Sequence, residues 1–133
     1  MKKIKKFALI LLALFVLVSC GKKSVENLSK DEADKILSKT KEVIRQIQDK
    51  GFDPIKDQMS KEMQEAITEE VSKKALADIK EKGDFSKFGS GAVVRDKEKG
   101  YIISQQEVHY EKGSLLFTVN YDESGKIIGF FYK

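Results

Sequence analysis

The chain holds one histidine, His109, and its neighbours decide what chemistry it can do. Glu107-Val108-His109-Tyr110 sets a carboxylate and an imidazole two residues apart. Side chains alternate along a strand, so Glu107 and His109 share a face with Tyr101, Ile103 and Gln105. A Glu-x-His pair on one face can act as general acid and base, or supply two metal ligands. Tyr101, Tyr110, Tyr121 and Tyr132, with Asn120, offer aromatic walls and polar handles for a pocket. Against that reading, Val108 and Tyr110 have the apolar bodies of a buried face, which predicts that Glu107 and His109 look to solvent. Ser104, Ser114 and Ser124 lack a G-x-S-x-G elbow, and there is no second histidine to serve as base. Gly89-Ser90-Gly91 is too short for a phosphate loop and leads into strand-like residues instead of a helix. What remains is a candidate pocket lined by Tyr101, His109, Tyr110, Asn120 and Tyr121, against which ordinary strand composition is the favoured reading, with no catalytic constellation, metal site or cofactor expected.

The one cysteine, Cys20, belongs to a different pattern. Lys2, Lys3, Lys5 and Lys6 form a basic start, and the run from Phe7 to Val18 is wholly apolar. That run falls short of the roughly 20 residues a spanning helix needs, but it suits the core of a signal peptide. Leu17-Val18-Ser19-Cys20, followed by Gly21, resembles the lipobox of bacterial lipoproteins. The resemblance implies cleavage between Ser19 and Cys20 and a diacylglyceryl group on the Cys20 thiol, with palmitate-type acyl chains. It places the rest of the chain on the extracytoplasmic face of the cell membrane. The alternative is an ordinary signal peptide, or an uncleaved anchor, with an incidental cysteine. It must explain why the only cysteine stands where the lipobox requires one.

This processing alters the charge argument. The net charge of +4 comes from the four lysines of residues 1–19, which contain no acid. The remainder is formally neutral, whereas a nucleic-acid-binding domain carries a surplus of basic charge. No nucleic-acid partner is expected. With Cys20 lipidated no thiol is left for a disulfide, a nucleophile or a metal ligand, so the core alone must hold the domain.

Residues 20–28 read as a lipidated tether and 29–133 as one α+β domain. Lys22 and Lys23 suit anionic headgroups beside the anchor, although a plain soluble spacer is an equal reading. Ser29-Lys30-Asp31-Glu32 is a capping box, with Ser29 accepting from the Glu32 amide and the Glu32 carboxylate reaching back to the Ser29 amide. Ala33, Ile36, Leu37, Thr40, Val43, Ile44 and Ile47 then recur at helical spacing, and Gly51 ends the helix. Asp53-Pro54 starts a second run, read as two helices, 54–66 and 69–82, with a bend at Thr68. One long helix is the alternative. Phe85 and Phe88 fall in a turn that plugs one end of the core. Residues 92–95, 101–110, 115–122 and 126–132 read as four strands of an antiparallel meander joined by short Gly-containing links.

A helix, a bent helix pair, Gly83-Asp84-Phe85-x-x-Phe88-Gly89, then Val119-Asn120-Tyr121-Asp122 and Gly125-Lys126-Ile127-Ile128-Gly129 resembles the domain-of-unknown-function family 3887. Members occur as small bacterial lipoproteins and ahead of α/β-hydrolase domains. The resemblance, over about residues 30–133, implies a cone-shaped, nuclear transport factor 2-like fold with helices closing over a curved sheet. It transfers no activity. The expectation is therefore a membrane-anchored binding or interaction module at the cell envelope, taking a protein partner or a small apolar ligand. Homodimerisation through the sheet stays open. The rival is a small isomerase or hydrolase using Glu107, His109 and a tyrosine inside the cone. A transporter's solute-binding protein is a third reading, but the chain is too small for the usual two lobes.

Overall fold

A computed structural model describes residues 25–133; the lipobox and signal-peptide readings, including Ser19 and Cys20, lie outside the described residues. Val25–Asn27 (β1) leads into helix α1, Lys30–Lys50. Ser29 caps α1, accepting from the Glu32 amide at 3.3 Å. The reciprocal bond differs from the capping-box expectation: the Ser29 hydroxyl itself donates to Glu32 Oε1 at 3.3 Å. Thr40, Val43, Ile44 and Ile47 form the buried face of α1. Burying each aliphatic side chain there contributes about 1.5–3 kcal/mol. Gly51, at φ +84° and ψ −162°, takes a positive-φ conformation suited to glycine and ends the helix, its amide donating to Ile47 O at 2.8 Å.

The second helical run is more broken than the expected two helices, 54–66 and 69–82. Asp53–Gln58 is a 3-10 turn with Pro54 in its first turn, α2 covers Lys61–Ala66, and α3 covers Glu69–Glu81. The interruption has a tertiary cause. Met59 is extended and forms a parallel bridge with Ile127, and the Ser60 amide donates to Ile127 O at 2.9 Å. Ser60 then restarts the helix by accepting from Met63 N at 3.1 Å. The predicted break at Thr68 is present, its hydroxyl accepting from Val71 N at 3.2 Å.

The sheet is a five-stranded antiparallel meander in the order β1-β2-β3-β4-β5, with β2 Phe85–Asp96, β3 Tyr101–Tyr110, β4 Gly113–Tyr121 and β5 Ile127–Tyr132. The helices pack on one face, and the sheet is open at its edges. Two differences from the sequence reading concern its rim. Val25–Asn27, read as tether, pairs with Asp96–Val94, a run too short to show alternation. Phe85 and Phe88, read as a turn, belong to β2 and pair with Tyr110 and Val108. A register shift between Phe85 and Lys87 lets two residues three apart face the same side. Both rings pack against the core, 5.0 Å apart, so the predicted plug at that end is present in strand form. The core proper joins Val43, Ile44 and Ile47 of α1 to Val108, Phe117, Val119 and Ile127 of the sheet.

Candidate functional site

Strand register distributes the predicted site residues. Ile102, Ser104, Gln106, Val108 and Tyr110 of β3 face the helices, as do Leu115, Phe117, Val119 and Tyr121 of β4. Tyr101, His109 and Asn120 lie on the outer face, turned from the helices. Tyr101 and His109 are eight residues apart along β3, about 27 Å. Tyr110 and Tyr121 face inward at opposite ends of the β3–β4 hairpin. The structure thus brings the five together on one sheet but not around one pocket, and two separate polar clusters take their place.

The inner cluster is Thr40, Ser104 and Tyr121, all at most 2% exposed. Thr40 Oγ1 donates to Ile36 O at 2.8 Å, and it lies 2.7 Å from Ser104 Oγ and 2.8 Å from Tyr121 Oη. A carbonyl only accepts, so the single Thr40 proton goes to Ile36. Ser104 and Tyr121 must then both donate to Thr40, which fills its two lone pairs. Burial pushes the Tyr121 phenol up to about 12. Lys39 covers the Tyr121 ring at 4.7 Å and donates to Gly125 O at 2.6 Å. Desolvation lowers its ammonium pKa, opposed by the Asp122 carboxylate. Elsewhere on this face Tyr110 donates to Gln48 Oε1 at 2.8 Å and Tyr132 to Asp78 Oδ2 at 2.6 Å. Burial raises the pKa of both phenols.

The outer cluster is Glu107, His109 and Ser114. His109 Nδ1 lies 2.9 Å from Ser114 Oγ, and Nε2 lies 3.3 Å from Glu107 Oε1. With the imidazole proton on Nε2, the ring donates to Glu107 and accepts the Ser114 proton at Nδ1. That is the order of a serine–histidine–acid relay with the ring nitrogens exchanged. The His109 and Glu107 side chains are 34% and 40% exposed, so water competes for every one of these bonds. Gly89 on β2 makes the room: a Cβ there would overlap Glu107 Oε1 and come within 2.7 Å of His109 Nε2. The rival expectation required Glu107 and His109 inside the cone. They lie on its outer face, as Val108 and Tyr110 predicted, and the nearest hydroxyl is a serine instead of a tyrosine.

Neither cluster stood out in the sequence. Thr40 lies within an apolar stripe, and Ser114 lies in the link before Leu115, where strand-like residues begin. The link length did hold a signal, since a two-residue Glu111-Lys112 turn sets His109 opposite Ser114. Among the described residues no group of three or more His, Cys, Asp or Glu is placed to hold a metal ion.

The rest of the outer face is mixed. Leu116, Thr118 and Asn120 of β4 stand beside Phe131, which pairs with Thr118 and leans its ring over Gly129. Phe131 is 40% and Ile128 37% exposed. Asn120 Oδ1 is buried there without a hydrogen-bond partner among the described residues.

Helices on one face of an open antiparallel meander define an α+β half-cone, consistent with the nuclear transport factor 2-like class. The chain belongs to the family described as protein of unknown function, DUF3887, which matches residues 40–130. No curated protein and no solved structure matches the chain.

Proposed function

We propose that this chain is a lipoprotein anchored through Cys20 on the outer face of the cell membrane, where its half-cone serves as a protein-interaction module. The observation that carries the interaction reading is the outer sheet face: Leu116, Ile128 and Phe131 gather apolar surface beside the polar Thr118 and Asn120. An apolar patch bordered by polar groups is how docking surfaces look. The inner face favours the same reading over a small apolar ligand, because Phe117, Ile44, Ile47, Ile55, Met59 and Ile127 already fill it, each less than 2% exposed.

The test is photo-crosslinking in the producing bacterium, with a benzophenone amino acid at Thr118 on the sheet face or at Gln46 on the helical side. A discrete adduct from Thr118 alone supports the module, and an adduct of twice the chain's mass identifies a second copy as the partner. Native mass spectrometry of the purified protein decides the remaining case. A reproducible small-molecule mass with no adduct at Thr118 replaces the protein partner with a ligand.

A further inference from the structure

Strand β1 does more than extend the sheet: it fixes where the chain leaves the domain. Val25 pairs with Asp96, the last residue of β2, so the chain emerges beside the Lys97–Gly100 turn. The Asp122–Lys126 turn lies at the same end, because Tyr121 pairs with Ile102 at the start of β3. The Glu111-Lys112 turn lies at the other end, nine residues along β3 and about 30 Å away.

We propose that the end of the sheet bearing the 97–100 and 122–126 turns is a membrane-contacting pole that rests on phospholipid headgroups, with the 111–112 turn pointing away from the bilayer. The inference rests on the reading of Cys20 as the lipid-bearing residue. Five Cα steps separate Cys20 from Val25, and at full stretch they span no more than about 18 Å. Bringing the distal turn to the headgroups would require Cys20 to lie some 30 Å along the sheet from Val25, beyond the reach of those steps. The near pole needs no such extension.

The side chains at this pole suit a headgroup surface. Asp96 and Asp122 each hold their own turn through backbone amides. Asp96 Oδ1 accepts from the Glu98 and Lys99 amides at 3.0 and 3.1 Å, and Asp122 Oδ1 accepts from the Ser124 and Lys126 amides at 2.9 Å. Lys97, Lys99 and Lys126 stand at the rim with Glu98 and Glu123. The amide bonds leave both carboxylates charged, so the rim sets three lysines against four acids, with Lys97 also paired to Glu26 and Lys126 donating to Asp57 O. What suits it to headgroups is the reach of the lysine side chains, which can lower their ammonium groups to the phosphates. This orientation holds His109 and Ser114, next to the distal turn, far from the bilayer and open to the exterior.

The chain contains no tryptophan, which supplies a clean probe. Single-tryptophan variants Glu98→Trp, Glu123→Trp, Thr118→Trp and Lys112→Trp are made in the full chain and purified from the producing bacterium's membranes. They are reconstituted in phosphatidylglycerol–phosphatidylcholine vesicles containing headgroup-spin-labelled lipid. Loss of most emission at positions 98 and 123, with none at 112 and little at 118, is the expected result. Equal loss at 118 means the sheet lies flat on the bilayer, and loss at 112 means it is inverted; either overturns the polar orientation. The mass of the N-terminal peptide tests the anchor separately. A diacylglyceryl-bearing Cys20 with the wrong quenching pattern removes the orientation alone, whereas an unmodified Cys20 removes both.

Discussion

Replacing Thr40 with valine should destabilise the fold more than removing either hydroxyl that points at it. Valine keeps the shape and β-branching of threonine, so helix α1 feels little change in side-chain entropy. It removes the only acceptor used by Ser104 and Tyr121, which are 0% and 2% exposed and cannot turn to water. A stranded buried hydroxyl costs about 1–3 kcal/mol, so two of them make Thr40→Val cost roughly 2–6 kcal/mol. Tyr121→Phe leaves Thr40 with an empty lone pair only, and the net loss of one hydrogen bond is about 1 kcal/mol. The phenylalanine ring still lies under Lys39. For a domain this size each kcal/mol moves the thermal midpoint by about 4–8 °C. Thr40→Val should lower it by roughly 10–50 °C and Tyr121→Phe by about 4–8 °C. The triple variant Thr40→Val/Ser104→Ala/Tyr121→Phe removes donors and acceptor together and should recover most of the Thr40→Val loss. Urea and thermal unfolding followed by circular dichroism measure all three. A Thr40→Val variant no worse than Tyr121→Phe, or a triple variant worse than Thr40→Val, refutes the proton assignment.

Alkaline pH should unfold the domain through its tyrosines. The folded Tyr121 phenol titrates at about 12 against an ordinary 10, so the fold favours the neutral form; its contribution is complete below pH 10 and is lost as pH rises towards 12. Tyr110 and Tyr132 are raised in the same direction and add to the loss. Tyrosinate absorbance and circular dichroism should change together, and ionisation of these phenols within an intact fold would contradict the burial argument. Gly91→Ala should cost about 1–3 kcal/mol through overpacking, because its Cβ would meet Gln106 Oε1 and Leu37 Cδ2 at 2.7 Å. Gln106 cannot move aside, its amide being held by the carbonyls of Gly89, Ser90 and Glu107. Gly89→Ala meets only the half-exposed ends of Glu107 and His109, so denaturant titration should find it much the milder of the two. Thr68→Ala removes the α3 cap and should cost about 1 kcal/mol, which Thr68→Ser should largely restore.

What was legible in the sequence was what depends on local period. The apolar stripe of α1, its Ser29 and Gly51 ends, the break at Thr68 and the alternation of β3 and β4 all hold in the structure. Each is written in residues a few positions apart. The misreadings occur where a distant partner decides the outcome. Met59 has perfect helical spacing with Ile55 and Met63, yet Ile127 draws it into an extended bridge. Phe85 and Phe88 violate the two-residue period because β2 is bulged against β3, and a bulge is defined by the opposite strand. Val25–Asn27 is too short and polar to declare itself; only the free edge of β2 makes it a strand. The predicted pocket failed to assemble for a related reason. Side-chain type nominated Tyr101, His109, Tyr110, Asn120 and Tyr121, but face and position along the strand decide which of them meet.

The two polar clusters that did assemble differ in what they can offer a partner. Thr40 gives its one proton to Ile36 and fills both lone pairs, and the Ser104 and Tyr121 protons are spent on it. That cluster is saturated and sealed, so its role ends with holding α1 to the sheet. The outer cluster has capacity to spare. A carboxylate has about four acceptor sites and a hydroxyl three hydrogen-bonding positions, while Glu107 and Ser114 each spend one on His109. Its groups are half-open to solvent. Unsatisfied hydrogen-bonding capacity and exposed apolar surface coincide on the outer face of β3, β4 and β5. Recognition by this domain should therefore be sought there, and charge or bulk introduced at Thr118 should abolish it while leaving the helical side and the core unchanged.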